Sequence, residues 1–373
     1  MTERDAYIIL NMIEGLGPVT VRRLTDALGS PEKIMTADRE ELMEARGVGD
    51  KLAVKILSQR DSIDVEAELE KVADLGARII TMVDDEYPSA LKTIHDPPLV
   101  LYVWGTLLPT DEKSIGIVGS RATSHYGLSA ADRLAYQLAQ TGFTVNSGLA
   151  RGTDTAAHSG ALKGKGRTIA VLGGALDCLY PPENAELARK ISKHGAVISE
   201  YPMGRKADRM TFPYRNRIIS GMSMGVLVIE SEIKGGSMHS AEAAMEQGRT
   251  VFALPGRIDT PGAKGPHLLI KNGAKLVERL DDILEEYEFL IPPEERETPQ
   301  DKPAARPDVP LTDIEKKVVE ALWKEPLDAD TLARETGMKS HELSGLLLGL
   351  EMKRVIRMLP GRIVELAEDL KRM

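Results

Sequence analysis

The chain has 373 residues, which leaves room for two or three domains. Its 42% hydrophobic and 28% charged residues argue against wholesale disorder. The single cysteine, Cys178, excludes an internal disulfide and a cysteine-bound metal cluster, and it indicates a reducing compartment. No apolar run is as long as a membrane span, and the first residues lack an apolar secretory core. We therefore predict a cytoplasmic protein without a membrane segment.

The net charge of −9 conceals an uneven distribution of charge along the chain. Residues 113–275 hold 21 Lys and Arg against 12 Asp and Glu. Residues 61–112 hold 3 against 12, and residues 276–373 hold 15 against 23. A cationic middle inside an acidic chain indicates a local anion site, although basic residues scattered over a solvated surface would give the same count.

The first 62 residues predict a small helical domain. The segments Gly15-Leu16-Gly17 and Gly47-Val48-Gly49 each precede an apolar-periodic helix. Such turns are typical of the helix-hairpin-helix element, because glycine permits the tight turn and the next helix begins with free backbone N–H groups. Residues 1–62 are therefore predicted as a SAM-like helix-hairpin-helix domain. The hairpins can hold DNA phosphates or simply pack together, and their near-neutral charge favours packing.

Residues 63–290 predict an α/β core with a Rossmann-like parallel sheet and helices on both faces. The predicted strands are 78–83, 99–103, 115–118, 143–146, 168–172, 196–198, 225–229 and 250–253. The predicted helices among them are 128–140, 153–163, 185–193 and 236–247. In such a sheet ligands bind beyond the carboxyl ends of the strands.

Residues 291–310 contain six prolines and predict an extended linker. Residues 311–373 predict a winged-helix domain with three helices and a hairpin. The helices are 312–323, 328–335 and 340–352, and the hairpin strands are 355–359 and 362–366. The third helix has a thin basic face, which favours a protein-interaction or dimer role over groove binding, although both remain open.

Glycine follows three of the predicted strands, in Gly119-Ser120-Arg121, Ser147-Gly148 and Gly173-Gly174. Glycine also stands at the start of the last predicted helix of the core, in Gly235-Gly236-Ser237. Glycine lets a backbone N–H approach an anion, and the helix that follows directs its positive end to the same point. The dinucleotide pattern G-x-G-x-x-G is absent at the first turn, and no P-loop pattern occurs. These patterns disfavour an oxidoreductase and a P-loop ATPase.

Basic residues crowd between 205 and 217, with two aromatic residues among them. The basic residues are Arg205, Lys206, Arg209, Arg215 and Arg217, and the aromatic residues are Phe212 and Tyr214. Guanidinium groups form bidentate hydrogen bonds with phosphate, and a planar ring can stack on a base. The segment is therefore predicted to bind single-stranded nucleic acid or a nucleotide. Phe212 can equally pack in the core. Arg215 or Arg217 can instead form a structural ion pair, for which Glu200 and Glu230 are candidate partners.

Five segments together resemble the DNA-processing protein A family (DprA, also called Smf), over roughly residues 70–285. They are Val118-Gly-Ser-Arg121, the segment 147–158, Leu179-Tyr-Pro181, the segment 212–221 and the segment 251–256. The flanking domains resemble optional domains of the same family, the last one of DML1-like winged-helix type. The resemblance implies a cytoplasmic protein that binds single-stranded DNA, protects incoming DNA in natural transformation and loads the RecA recombinase. It also implies a homodimer formed through the Rossmann-like domain.

The resemblance carries the DNA-binding residues over by motif. They are Gly119, Ser120, Arg121, Ser147, Gly148, Gly152, Asp154, Phe212, Arg215, Asn216, Arg217, Gly236 and Ser237. Lys163 and Lys165, with Arg167, form a second basic cluster that we expect to extend the strand's path. His239 departs from the family pattern, and so does His267. We expect no catalytic residue, no cofactor and no metal.

Two enzymatic alternatives are compatible with parts of the sequence. Asp154 and His158 lie one helical turn apart and could form an acid–base or metal pair, but a helix cap and a packed histidine are more typical. Gly235-Gly236, with Glu230 and Glu242 nearby, resembles the nucleotide phosphoribohydrolases of the lysine-decarboxylase-like family. The chain lacks the second glycine and the threonine of that family's motif. A winged-helix transcription regulator is a further, weaker alternative.

Overall fold

The structure is a computed structural model that describes residues 1–290, 311–323, 326–353, 355–359 and 363–366. The chain divides into two compact units, Met1–Ile291 and Pro292–Met373. The predicted linker, residues 291–310, lies outside the described residues. No helix among the residues described is both long and apolar enough to cross a membrane.

Six helices form the N-terminal part of the first unit. They are α1 (Glu3–Met12), α2 (Pro18–Leu28), α3 (Pro31–Thr36), α4 (Arg39–Glu44), α5 (Asp50–Arg60) and α6 (Val65–Asp74). The two predicted hairpins precede α2 and α5, and Gly15 and Gly47 have φ values of +82° and +91°. A residue with a Cβ atom is strained at such angles, which explains glycine at both turns. The helix-hairpin-helix prediction is confirmed.

A nine-stranded sheet follows. Its strands are β1 (Arg78–Thr81), β2 (Val100–Gly105), β3 (Ser114–Val118), β4 (Thr144–Ser147), β5 (Thr168–Val171), β6 (Ala196–Ser199), β7 (Gly225–Val228), β8 (Thr250–Ala253) and β9 (Lys275–Leu276). The strand order is β1-β2-β6-β5-β4-β3-β7-β8-β9. From β6 to β9 the neighbours are parallel, as predicted, whereas β1 and β2 pair antiparallel at one edge. The order reverses between β3 and β7, which is where sheets of this class bind ligands.

Eight helices surround this sheet. They are α7 (Ser89–Lys92), α8 (His125–Gln140), α9 (Thr153–Lys163), α10 (Ala185–His194), α11 (Thr211–Gly221), α12 (Gly236–Glu246), α13 (Lys264–Lys271) and α14 (Asp281–Leu284). Helix α11 was not predicted, and it spans most of the basic and aromatic run. Its Ile218 and Ile219 are buried in one core cluster with Val118 of β3 and Val228 of β7. This packing fixes α11 across the switch point of the sheet.

The helical domain and the sheet share one hydrophobic core. Ile8 and Leu10 of α1 are buried in the same cluster as Val100 and Tyr102 of β2. Polar contacts cross the same boundary, since Asn11 Nδ2 donates to the Glu200 carbonyl oxygen at 3.0 Å. The predicted boundary at residue 62 therefore separates two sequence patterns but lies inside one compact unit.

The second unit contains the predicted winged helix. Its elements are α15 (Asp313–Ala321), β10 (Leu327–Asp328), α16 (Ala329–Thr336), α17 (Ser340–Met352), β11 (Ile356–Leu359) and β12 (Ile363–Leu366). Val318, Leu332 and Leu347 of the three helices bury against Val364 of the hairpin. The fold prediction is thereby confirmed as an α/β core with a helix-hairpin-helix domain before it and a winged helix after it.

Candidate nucleic-acid interface

A cleft of about 790 Å³ opens at the switch point, beyond the carboxyl ends of β3 and β7. Nine of the predicted site residues line it, namely Gly119, Ser120, Arg121, Asp154, Phe212, Arg215, Asn216, Gly236 and Ser237. Tyr180, Arg209 and Ser240 also line it. None of these three is among the residues predicted for the site, although Tyr180 lies in a family-like motif and Arg209 lies in the basic run.

Arg121, Phe212 and Tyr180 form a layered group in the cleft. The Arg121 guanidinium carbon lies 4.7 Å from the centre of the Phe212 ring. The Phe212 and Tyr180 ring centres are 5.7 Å apart, and Tyr180 is 45% exposed. A cation over an aromatic face is held by the ring's quadrupole, so Arg121 is positioned while remaining exposed. The group offers a charge for phosphate beside a flat apolar surface for a base.

Arg215 lies deeper and is buried. Its Nη1 donates to the carbonyl oxygens of Gly148, at 2.8 Å, and of Val171. Its Nε donates to the Asn216 side-chain oxygen at 3.3 Å. Burial lowers the pKa of Arg215 to about 10, and the Asp154 carboxylate acts in the opposite direction. The guanidinium is therefore a fixed cation that joins the ends of β4 and β5.

Asp154 is the buried acid of the cleft lining, and it does not cap α9 in the predicted way. The N-cap residue is Gly152, and the Asp154 carboxylate instead accepts hydrogen bonds from the Gly148 and Ala150 N–H groups, both at 3.2 Å. Burial raises the pKa of Asp154, while Arg215 and the two N–H groups oppose that shift. The carboxylate thus shapes the glycine turn after β4 and lies close to the charge of Arg215.

Arg217 lies outside the cleft, which corrects the expectation that it contacts phosphate. Its guanidinium is buried and forms a two-point ion pair with Glu200, at 2.7 and 2.9 Å. A further ion pair joins its Nε to the Asp96 carboxylate at 2.9 Å, and Tyr214 lies 3.9 Å beneath it. Burial alone would lower the pKa of Arg217, but Glu200 outweighs it and the pKa is raised. The ion-pair alternative with Glu200 therefore holds for this residue.

Ser147, Gly148 and Gly152 support the cleft from behind its lining. The Ser147 hydroxyl is buried and donates to the Ile117 carbonyl oxygen at 2.6 Å, so it is not placed to donate to a ligand. A Cβ atom on Gly148 would lie 2.3 Å from the Arg215 guanidinium. Gly152 has a φ of +74°, and its Cβ would meet the Ser120 carbonyl oxygen at 2.5 Å. These two glycines permit close backbone packing.

Lys163 and Lys165 lie near the far end of α9 from the cleft. Helix α9 begins at Thr153 and ends at Lys163, about 15 Å further along its axis. The Lys163 ammonium pairs with Asp132 at 2.6 Å, and Arg167 pairs with Asp111 at 2.6 Å. The structure does not bring this second basic cluster into the cleft.

The residues weighed for catalysis are held by structural contacts. His158 is buried, its Nδ1 lies 2.7 Å from the Thr168 hydroxyl, and burial lowers its pKa to about 3. The Glu230 carboxylate accepts three hydrogen bonds, from the Thr123 hydroxyl and from the N–H and hydroxyl of Ser124. Neither Glu230 nor Glu242 lines the cleft. Within the described ranges, no group of three or more His, Cys, Asp or Glu could hold a metal ion.

Comparison with protein families matches three parts of the chain. Residues 78–288 match the DNA recombination-mediator protein A family, residues 302–362 the DprA winged helix domain, and residues 7–61 a SAM-like helix-hairpin-helix tandem. Protein Smf of Synechocystis is 35% identical, with 96% of this chain and 98% of that protein covered. DNA processing protein DprA of Bacillus subtilis is 44% identical, with 57% of this chain and 71% of that protein covered.

Two solved structures are similar to this one. The X-ray structure of DNA processing protein A from Streptococcus pneumoniae has a TM-score of 0.68 and 34% identity, and covers 77% of this chain and 98% of its own. DNA processing protein A from Helicobacter pylori, studied for its single-stranded DNA binding mode, has a TM-score of 0.52 and 28% identity. This match covers 58% of this chain and 98% of that chain. The chain therefore belongs to the DNA recombination-mediator protein A family, the DprA/Smf proteins.

Proposed function

We propose that this protein binds single-stranded DNA in the cleft at the switch point of the sheet. The observation that carries the proposal is the layering of Arg121 over Phe212, with Tyr180 beside it. A single strand exposes both phosphates and unstacked bases, and this group offers a partner for each. The single-stranded DNA binding described for the Helicobacter pylori relative supports the same assignment.

The cleft residues take different roles in this proposal. Arg121 and Arg209 are exposed and contact phosphates. Buried Arg215 supplies a fixed positive potential at the base of the cleft, and Asn216 holds the first turn of α12 through its hydrogen bond to the Gly236 carbonyl oxygen. The first turn of α12 points further N–H donors at the strand.

Competition between single and double strands tests the proposal. A duplex has no unstacked bases to enter the cleft, so we expect single strands to win a gel-shift competition at equal length and moderate salt. If the duplex wins, the assignment of the cleft to single strands fails.

We further propose that the protein is a recombination mediator. Bound to incoming DNA in the cytoplasm, it protects the strand and helps to load the RecA recombinase during natural transformation, acting as a homodimer through the Rossmann-like domain. Family membership supports this wider role. We expect faster RecA assembly on strands coated with single-strand-binding protein, and a dimer mass in sedimentation.

We also propose that the protein is not an enzyme. Neither glutamate of the phosphoribohydrolase alternative, Glu230 or Glu242, lines the cleft, and Glu230 is held by three hydrogen bonds. Incubation should leave oligonucleotides and nucleoside monophosphates intact. Release of free base from a monophosphate would favour the phosphoribohydrolase alternative instead.

A further inference from the structure

Ser240, on α12, carries a buried hydroxyl group that is not engaged by any part of the chain that the structure describes. The residue is 1% exposed, and its Oγ has no hydrogen-bond partner among the described residues. It nevertheless lines the cleft. The hydroxyl of Ser231, which lines the same cleft, is engaged, since it donates to the Glu232 carbonyl oxygen. A buried polar atom left unpaired in a folded protein calls for an explanation.

The reason that Ser240 stays unpaired lies one turn earlier in the helix. A serine inside a helix usually donates to the carbonyl oxygen four residues before it, here that of Gly236. That oxygen already accepts the helical N–H bond, and it also accepts a hydrogen bond from Asn216 Nδ2 at 3.2 Å. Because both of its lone pairs are used, the Ser240 hydroxyl has a proton to donate elsewhere.

The first turn of α12 holds other unused donors. The N–H groups of Gly236 and Ser237 have no hydrogen-bond partner in the described part of the chain, and the N-cap residue Gly235 provides no side-chain cap. A Cβ atom on Gly236 would meet nothing within 4 Å, so the backbone there faces open space. Ser237 and Ser240 lie three residues apart and so share one helix face.

We infer that these groups form a phosphate subsite at the first turn of α12, with the Ser240 hydroxyl as its buried donor. The donors outnumber the acceptors there, and the positive end of the helix dipole favours an oxyanion. Three carboxylates share the cleft lining with Arg121, Arg209 and Arg215. Those of Asp154 and Asp208 already accept backbone N–H hydrogen bonds, and that of Glu232 is exposed. The source of the phosphate rests on the proposed function: either a linkage within the strand or the phosphate at its 5′ end.

A matched pair of variants isolates the hydroxyl. Ser240→Thr keeps it and Ser240→Val removes it, while both add the same bulk at a buried position. We expect Ser240→Val to bind single strands about tenfold more weakly than Ser240→Thr, because a hydrogen bond to a charged group is lost. The salt dependence should be equal in the two, because the hydroxyl carries no charge.

Melting temperatures without DNA separate this role from a structural one. An unpartnered hydroxyl contributes nothing to folding, so Ser240→Val should melt no lower than Ser240→Thr. Equal affinities, or a Ser240→Val protein that melts well below its partner, would overturn the inference.

Three ligands identify the source of the phosphate. A 5′ phosphate that strengthens binding by Ser240→Thr but not by Ser240→Val identifies the strand end. A single uncharged methylphosphonate linkage that weakens only Ser240→Thr identifies an internal linkage. The subsite is contradicted if neither the 5′ phosphate nor the methylphosphonate affects the affinities of the two variants differently and inorganic phosphate raises their melting temperatures equally. This holds even where the wild type binds strands. If no strand binds but inorganic phosphate stabilises Ser240→Thr more than Ser240→Val, the subsite stands and the proposed function fails.

Discussion

The guanidinium of Arg217 and the carboxylate of Glu200 meet at two points inside the protein, at 2.7 and 2.9 Å. Two residues earlier on the same helix, Arg215 lines the cleft. Residues two apart on a helix point about 200° away from each other. One arginine therefore serves the cleft, and the other anchors α11 to the segment before it.

Arg217→Ala should destabilise the protein by about 3–5 kcal/mol, because it leaves the Glu200 carboxylate buried without a partner. Urea unfolding measures this loss. The double variant Arg217→Met with Glu200→Gln should recover part of it, since no uncompensated charge remains. Full stability of Arg217→Ala would contradict the ion-pair assignment.

Arg121→Ala should behave in the opposite way. Arg121 is exposed, so the melting temperature should stay unchanged while single-strand affinity falls. The log–log slope of affinity against salt should flatten by about 0.7, the value for one lost phosphate contact to a single strand. Arg189→Ala is the matched control, because Arg189 is an exposed arginine outside the cleft lining and is paired with Glu186. Equal slopes for the two variants would remove Arg121 from the phosphate contacts.

Tyr180→Ala should lower single-strand affinity by about 1–3 kcal/mol if a base stacks on this ring. Tyr180→Phe keeps the ring and should bind as the wild type does. Oligonucleotides with abasic positions provide the check, since the wild type should prefer intact strands and Tyr180→Ala should lose that preference. The ring is 45% exposed, so its removal should leave stability nearly unchanged.

His158 predicts a pH dependence of stability. Burial lowers its pKa to about 3 in the folded protein, from an ordinary value of 6.5, so the unfolded chain binds the proton first as pH falls. The contribution of this residue is complete above pH 6.5 and is lost progressively below it, by up to about 2 kcal/mol at pH 5. His158→Asn keeps a donor for the Thr168 hydroxyl, and its stability should fall less between pH 7 and 5. Parallel pH profiles would contradict this prediction.

Deletion of residues 296–373 should leave single-strand affinity within about tenfold of the full chain, or 1.4 kcal/mol. The deleted residues 296–373 hold 14 basic against 15 acidic residues, so the segment carries no excess of positive charge with which to hold DNA phosphates. A larger loss in equilibrium titration would assign the winged helix a direct hold on the strand.

Much of the core could be predicted from sequence because its strands are short apolar runs separated by glycine turns. The ends of β3, β5 and β8 lie within one residue of the prediction. Helix α11 was missed because its apolar residues lie near its two ends with the polar residues 215–217 between them, while Pro213 stands near its start. Proline is tolerated in the first turn of a helix, since the N–H it lacks has no helical partner there.

The missing helix explains what could not be predicted in the site. If residues 205–217 formed an irregular strip, both Arg215 and Arg217 could face an anion. In a helix the two side chains point to opposite sides. Ser240 is not among the predicted site residues, because its importance depends on the Asn216 hydrogen bond to the Gly236 carbonyl oxygen, a contact between helices that no local pattern reports. The glycine turns and Arg121 could be predicted as cleft residues from their position at the strand ends alone.

The shared core of the helical domain and the sheet has a consequence for how the protein can be divided. Ile8 and Leu10 cover Val100 and Tyr102, and Asn11 reaches the backbone of Glu200, whose side chain holds Arg217. A fragment that starts at residue 63 would expose that apolar face of β2 to water and loosen the support behind α11. The helix-hairpin-helix region therefore forms part of the structural support of the cleft. A core expressed without it should aggregate.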